Sequence, residues 1–243
     1  AVEAARGDAA AVEAASAAFG GALGAAVKVA LAVLAMYILL LHSWAFPAPS
    51  ETQDAFFVQA YTGRWVYLTR HCLALQAWHQ VMSVAAPMLS AELSALTHGI
   101  SIWIAGLGWF VTVQYMLLVV PSDAFKKDCL IWEKRGVHFK EIGLLVHVCA
   151  LPIAVLDITV AKGALELKAA VSMLQTMTMV CGYTGLYLCV IVANFKATGR
   201  WPYGFLTEFG TDLRKWTAFV AKQICVLSAF TLVSWAIFLC RTA

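Results

Sequence analysis

Five polar residues recur at helical spacing between positions 69 and 83. Thr69, Cys72, Gln76, His79 and Ser83 follow one another at intervals of three, four, three and four residues, which places their side chains on one stripe of an α-helix. The stripe either supplies the polar groups of a buried site or forms hydrogen bonds to neighbouring helices. Taken alone, such residues more often serve helix packing.

A second candidate is a histidine in an apolar stretch. His147 is the one strongly polar residue between Ile142 and Leu156. Pro152 follows five residues later and cannot donate a hydrogen bond to the carbonyl of Val148, so we expect the helix to kink beside the imidazole. A lone buried histidine is more often a helix contact than a catalyst.

Thr69 and His147 together have the minimum chemistry for acyl transfer. A threonine hydroxyl is a weak nucleophile and needs an adjacent base, for which a neutral imidazole is the usual choice. At ~1.5 Å per residue, Thr69 lies about 6 Å below Trp65 and His147 about 9 Å below Glu141. If both helices begin on the same side of a membrane, the two side chains lie at similar depth.

Composition indicates that the elements holding these residues lie in a membrane. The chain of 243 residues is 62% hydrophobic and 13% charged, with a mean hydropathy of +0.78, whereas a soluble domain carries about 25% charged residues. In lipid every backbone polar group must be paired internally, so long apolar runs without strand-like alternation form helices. The sequence therefore predicts an all-α, polytopic integral membrane six-helix bundle.

Six apolar segments have about the 20 residues that a bilayer requires. The expected spans are 25–46, 65–87, 99–120, 137–157, 169–194 and 217–239. Residues 1–24 are rich in alanine and are interpreted as an N-terminal extension, which leaves 25–243 as the six-transmembrane-helix domain. Basic residues favour one face, so the loops before the second, fourth and sixth spans are expected on the cytoplasmic or matrix side.

Charge and cysteine usage exclude several classes of function. The net charge is only +3 and the basic residues cluster in loops, so no nucleic-acid partner is expected. The seven cysteines contain no CxxC and no Cys/His spacing of the kind that binds metal. We therefore expect no cofactor and no metal, and membrane lipids as the principal contact.

Three motifs give a resemblance to a known family. They are YTGRWVYLT at 61–69, HVCALP at 147–152 and TGRWPYGFL at 198–206. Together and in this order they resemble the androgen-induced protein family, which includes the androgen-dependent TFPI-regulating protein. In the third motif the chain departs from the family pattern, because Pro202 precedes Tyr203 and Gly204 stands where the family has proline.

The resemblance implies a six-helix membrane protein and an activity. Some members are intramembrane threonine hydrolases that cleave fatty acid esters of hydroxy fatty acids, and the family's nucleophile and histidine fall on Thr69 and His147. In that mechanism His147 takes the Thr69 proton as the hydroxyl attacks the ester, and water then hydrolyses the acyl-enzyme.

Substrate-binding candidates are fewer. Gln76 is a candidate for an oxyanion donor, although it lies two helical turns from Thr69. Arg64 and Arg70 are placed to receive a fatty acid carboxylate, although snorkelling to headgroups explains them as well. No third orienting residue is evident, since Asp157 lies about 15 Å along the helix from His147.

Other functions remain open. The alternative is a non-catalytic accessory subunit of a large organellar complex, such as a mitochondrial respiratory or ATP synthase assembly, with other membrane subunits as partners. The alanine-rich N-terminal segment favours this interpretation, and the membrane would be the mitochondrial inner membrane or an endomembrane. A haem-binding electron carrier using His42, His71, His79 and His147 is a further possibility, as is a transporter, although paired broken half-helices are not evident.

Overall fold

The protein is built from α-helices. The computed structural model describes residues 2–44, 65 and 67–242, is 88% helical and has no strand within those ranges. A chain that meets lipid must pair its backbone groups within each segment or in a closed barrel, and this one uses helices. The predicted all-α membrane fold is confirmed.

Within the described residues, five helices are long and apolar enough to cross a membrane. They extend over Gly21–Ser43, Ala91–Val119, Phe139–Ala161, Met173–Thr198 and Leu213–Arg241. Each overlaps one of the six expected spans. The remaining expected span, 65–87, overlaps a helix of 22 residues at Leu68–Leu89, whose polar stripe makes it less apolar than the five. The expected count of six spans is therefore not confirmed.

In chain order, the α-helices of the described residues are α1 (Val2–Trp44), α2 (Leu68–Leu89), α3 (Ala91–Gly99), α4 (Ser101–Gln114), α5 (Asp123–Glu133), α6 (Phe139–Val148), α7 (Ala150–Leu156), α8 (Ala164–Ala170), α9 (Met173–Thr198) and α10 (Leu213–Thr242). Two π-helical segments, Tyr115–Val119 and Asp157–Ala161, extend α4 and α7, and a 3₁₀ segment, Gly204–Phe209, precedes α10. α1 runs without interruption through the expected boundary between residues 24 and 25.

α4 forms the centre of the helix bundle. Its residues from Ser101 to Gly108 are all buried, and small residues allow neighbours to approach closely. A Cβ on Gly108 would lie 2.8 Å from the Ala150 carbonyl oxygen of α7, and one on Gly106 would collide with Thr231 of α10. Small residues at such crossings let helices pack by direct contact in lipid.

α2 and the pair α6–α7 run in the same direction. Three side-chain contacts join them, and in order along α2 they are Thr69 with His147, Gln76 with Ala150 and His79 with Asp157. Residue numbers rise together on both sides of the interface, so the helices are parallel. The two polar ends of the interface therefore lie at different depths.

The helix that carries His147 is interrupted near the expected kink. α6 ends at Val148 and α7 begins at Ala150, because Pro152 supplies no N–H to the Val148 carbonyl. Side chains from other helices bind carbonyls around the interruption. Thr112 of α4 donates to the His147 carbonyl at 2.7 Å, and Gln76 of α2 donates to the Ala150 carbonyl at 2.7 Å.

Candidate active site

The structure brings the two principal candidates together. The Thr69 hydroxyl oxygen lies 2.9 Å from Nε2 of His147. Thr69 sits in the first turn of α2 and His147 in the last turn of α6, and both side chains are half-buried. This distance lies within the range for proton transfer from a hydroxyl to a base.

The other nitrogen of His147 fixes which atom is the base. Nδ1 lies 2.6 Å from the carbonyl oxygen of Gly143, one turn earlier on the same helix. A carbonyl only accepts hydrogen bonds, so Nδ1 carries the proton and a neutral imidazole keeps its lone pair on Nε2, facing Thr69. The Gly143 carbonyl thus occupies the same position relative to the imidazole as the carboxylate of a catalytic triad.

Thr69 differs from most other helical threonines in where its hydroxyl points. Seven threonines donate to the carbonyl four residues earlier in their own helix, namely Thr97, Thr159, Thr176, Thr178, Thr184, Thr198 and Thr231. That bond is the default for a threonine in a helix. Thr69 and Thr112 instead direct their hydroxyls at another helix, and both contact His147.

Sequence reasoning missed Tyr115, which packs on the imidazole. Its ring lies parallel to that of His147, with 3.7 Å between centres. It begins the first π-helical segment, a distortion that is frequent at functional sites. A Cβ on Gly143 would lie 2.5 Å from the Tyr115 hydroxyl oxygen, so this glycine makes room for the stack. An aromatic residue at the end of an apolar run gave no signal of this contact.

The third sequence motif also lies at the Thr69 end of α2. The backbone N–H of Leu68 donates to the hydroxyl oxygen of Tyr203 at 3.2 Å, and the Tyr203 and Tyr187 hydroxyls lie 3.0 Å apart. Tyr67 packs edge-on against Tyr203 with ring centres 6.0 Å apart. Burial raises the pKa of both Tyr67 and Tyr203, so both stay neutral. Described residues from each of the three motifs, Tyr67 to Thr69, His147 and Tyr203, therefore meet around the first turn of α2.

The predicted substrate-binding residues have other partners. Arg70 donates to the Leu39 carbonyl at 3.2 Å and to the Ser43 hydroxyl at 2.5 Å, both on α1, and its guanidinium lies 5.0 Å from the centre of the Trp65 ring. Gln76 is buried and binds the Ala150 carbonyl. Arg64 lies outside the described residues. Arg70 and Gln76 thus join α2 to α1 and α7.

A second polar layer lies deeper in the bundle and was not predicted. His79, Asp157 and Lys162 are each at most 1% exposed. Nε2 of His79 lies 3.0 Å, and the Lys162 ammonium 3.3 Å, from the same Asp157 carboxylate oxygen. Lys162 also donates to the Ser101 hydroxyl at 2.6 Å and the Thr97 carbonyl at 3.1 Å. From the sequence alone, Lys162 is expected in a loop.

Comparison with known proteins supports the motif-based resemblance. The family model described as FAR-17a/AIG1-like protein matches residues 25–236, a range that contains Thr69, His147 and Tyr203. This is the androgen-induced protein family, so the predicted resemblance is confirmed. Among the curated proteins nothing matched the chain, and among solved structures nothing matched it either.

Proposed function

Because this chain belongs to the FAR-17a/AIG1-like protein family, we propose that it is an intramembrane hydrolase of lipid esters, with Thr69 as nucleophile and His147 as base. The observation that carries the proposal is the 2.9 Å contact between the Thr69 hydroxyl and Nε2 of His147. The Nδ1 contact with Gly143 supports it, since that contact leaves Nε2 free to accept a proton.

Acylation uses the two side chains in turn. Nε2 of His147 takes the hydroxyl proton as the Thr69 oxygen attacks the ester carbonyl carbon and forms a tetrahedral intermediate. The imidazolium then gives that proton to the departing alkoxide, which leaves as an alcohol while the acyl group stays on Thr69 as an ester. The N–H groups and dipole of the first turn of α2 provide positive potential for the oxyanion.

Deacylation reverses the roles. His147 removes a proton from a water molecule as its oxygen attacks the acyl carbonyl, and the imidazolium returns a proton to the Thr69 oxygen as that bond breaks. The products are the free carboxylic acid and the regenerated hydroxyl. Both residues are half-buried near the N-terminal end of α2. This position suits a substrate whose long apolar chains lie in lipid and whose ester lies near the membrane surface.

We take the substrate class from the family resemblance. Fatty acid esters of hydroxy fatty acids place an internal ester in a long apolar chain that carries a carboxylate at one end. Arg70 is an obvious partner for that carboxylate, but its Nη1 binds the Leu39 carbonyl and the Ser43 hydroxyl, which holds the guanidinium against α1. Recognition is therefore expected to depend on the ester and its apolar chains more than on Arg70.

A fluorophosphonate probe tests the proposal directly, because it reacts with an activated hydroxyl and not with an ordinary one. The wild type should label, whereas Thr69→Ala and His147→Ala should not. Thr184→Ala is the matched control, since that hydroxyl bonds within its own helix and its loss should leave labelling unchanged. Absence of labelling in folded wild type would count against a hydrolase.

A second candidate function is an accessory subunit of a larger membrane complex. α1 has 43 residues and at ~1.5 Å per residue is about 65 Å long, roughly twice the apolar thickness of a bilayer. Part of the helix therefore extends beyond the membrane, where it can contact another protein. Copurification in a stable multisubunit complex supports this role, and a solitary monomer in mild detergent opposes it.

A further inference from the structure

The candidate dyad and the buried ionic layer occupy the same two helices at the same spacing. His79 follows Thr69 by ten residues on α2, and Asp157 follows His147 by ten residues on the neighbouring chain segment. Ten residues span about 15 Å of helix. Two parallel helices thus meet in two polar layers, and a shift along their interface at one layer also shifts the other.

The ionic layer has the stronger bonds of the two. Lys162 has three ammonium protons, which its contacts with Asp157, Ser101 and Thr97 account for. Nε2 of His79 lies 3.0 Å from the Asp157 carboxylate oxygen, which can only accept a hydrogen bond, and 2.9 Å from the Lys162 ammonium. Hydrogen bonds to a charged group are roughly twice as strong as a neutral bond such as that between a hydroxyl and an imidazole.

The ionic layer is also attached to more of the bundle than the dyad is. Thr97 and Ser101 belong to α3 and α4, and the second π-helical segment begins at Asp157. Arg241 of α10 donates to the carbonyls of Ile158 and Lys162 at either end of that segment. Between the two layers the α6–α7 helix is interrupted at Cys149, and beside the interruption the bond from Gln76 to the Ala150 carbonyl keeps α7 joined to α2.

We propose that the ionic layer of His79, Asp157 and Lys162 sets the register of α2 against α6 and α7, and so holds the Thr69 hydroxyl on Nε2 of His147. The three are positioning residues, because they act on the dyad through the helices and not by contact. An axial slip of a single residue would move Thr69 by about 1.5 Å and rotate it by about 100°, enough to break the contact. The consequence for catalysis rests on the proposed function, whereas the geometric inference does not.

A cysteine at position 69 reports the contact without requiring hydrolysis. In Thr69→Cys, a thiol beside His147 is expected to form a reactive thiolate paired with imidazolium. Its alkylation by iodoacetamide at pH 7, read at residue 69 by peptide mass spectrometry, should be about tenfold faster than in Thr69→Cys/His147→Ala. This ratio measures whether the two positions are in register.

The test adds changes in the ionic layer to Thr69→Cys. Asp157→Leu/Lys162→Met removes both opposite charges together, so no buried charge is left unpaired. We expect this variant to fold and its alkylation rate to fall about tenfold, to that of the His147→Ala variant. His79→Gln keeps an N–H donor for Asp157 and should retain the fast rate.

Two results would overturn the inference. A folded Asp157→Leu/Lys162→Met protein with an unchanged alkylation rate would show that the layer does not hold the contact. A Thr69→Cys rate no faster than that of its His147→Ala partner would show that no contact exists to be held. If the double variant does not fold, His79→Leu makes the same comparison, since it leaves the Asp157–Lys162 ion pair in place.

The same experiment separates this inference from the hydrolase proposal. If the wild type fails to react with a fluorophosphonate but alkylation of the Thr69→Cys thiol still responds to both His147 and the ionic layer, the positioning holds and the enzyme proposal fails. If the wild type is labelled, the rate of labelling should fall in Asp157→Leu/Lys162→Met and stay close to the wild-type rate in His79→Gln.

Discussion

The phenol ring of Tyr115 lies flat against the imidazole of His147, with 3.7 Å between the ring centres and 7° between the planes. The imidazole is thus held on three sides, by the Tyr115 ring, by the Gly143 carbonyl at Nδ1 and by the Thr69 hydroxyl at Nε2. A catalytic base must keep its lone pair aimed at one atom, and these contacts restrict both its tilt and its tautomer.

Loss of the stack should slow the chemistry while retaining the fold. An aromatic pair contributes about 0.5–1.5 kcal/mol beyond its buried area, so Tyr115→Leu should lower the fluorophosphonate labelling rate by roughly two- to tenfold. Tyr115→Phe keeps the ring and should label at nearly the wild-type rate, because the Tyr115 hydroxyl has no hydrogen-bond partner among the described residues. Equal rates in Leu and Phe variants would argue against a role for the ring.

Adding a side chain at position 143 should displace the Tyr115 ring from His147. A methyl group there would lie 2.5 Å from the Tyr115 hydroxyl oxygen, so Gly143→Ala should displace the ring and reduce labelling. The double variant Gly143→Ala/Tyr115→Phe removes the colliding oxygen and should recover most of the rate. Gly185→Ala is the control, since a Cβ at that helical glycine meets nothing within 4 Å, and its labelling should be unchanged.

Tyr203 should stabilise the start of α2 through a hydrogen bond. It accepts from the Leu68 N–H and contacts the Tyr187 hydroxyl, so Tyr203→Phe should lower the free energy of unfolding by about 1–2 kcal/mol. Burial raises the pKa of Tyr203. The contribution should therefore be fully present below the ordinary tyrosine pKa of about 10 and be lost only as pH rises through the higher folded value.

Thermal unfolding of wild type and Tyr203→Phe at pH 7 and pH 9 tests this prediction. The difference between the two proteins should be the same at both values. A difference that shrinks markedly at pH 9 would mean that the hydroxyl ionises in its ordinary range and is not buried as described. Tyr37→Phe is the control, since it removes the same hydroxyl from a side chain that is 56% exposed and should leave the unfolding temperature unchanged at both pH values.

Hydropathy and helical geometry were sufficient to predict part of this structure. The apolar runs marked the five long helices, and the rise per residue placed Thr69 and His147 at similar depth because their helices are parallel. The helix at 68–89 is not among the five apolar helices because it contains Gln76, His79 and Gln80, which are all buried against protein. Hydropathy reports the average side chain of a segment and not the side that faces lipid.

Other parts of the site depend on contacts between distant segments. Because Lys162 follows an apolar run, the sequence predicts a charged residue in a loop. In the structure it follows a π-helical segment, and its ammonium contacts Asp157 and Ser101 inside the bundle. The Tyr115 stack likewise requires knowledge of which helix neighbours α6. The sequence did contain a signal of the ionic layer, since Thr69 and His79 are ten residues apart, as are His147 and Asp157.

The ion pair between Asp157 and Lys162 should show strong coupling in a double-mutant cycle. Either single change, Asp157→Leu or Lys162→Met, leaves a buried charge without its partner, which typically costs about 3–5 kcal/mol. The double change removes both charges and should be less destabilising than either single one, giving a large interaction energy. Thermal unfolding in one detergent measures all four proteins, and additive effects would mean that the two groups do not share the buried layer.

Arg70 should hold α1 against α2 and should not bind the substrate's carboxylate. Its donors contact the Leu39 carbonyl and the Ser43 hydroxyl, so Arg70→Ala should loosen the docking of α1 against α2 and lower the unfolding temperature. Both contacts come from one nitrogen, Nη1, and a lysine ammonium also has several donors, so Arg70→Lys should recover part of the loss. Ser43→Ala removes one acceptor alone and should have a smaller effect in the same direction.

Substrate preference distinguishes the two roles of Arg70. If the guanidinium bound a carboxylate, Arg70→Ala would raise KM for an ester with a free carboxylate far more than for its methyl-capped counterpart. Because the Nη1 contacts hold the guanidinium against α1, we expect both KM values to change by the same factor, which leaves the ratio of the two KM values at the wild-type value. If the KM of the free-carboxylate ester divided by that of the capped ester instead rises tenfold or more in Arg70→Ala, equivalent to about 1.4 kcal/mol, Arg70 binds the substrate's carboxylate and α1 moves away from it when lipid binds.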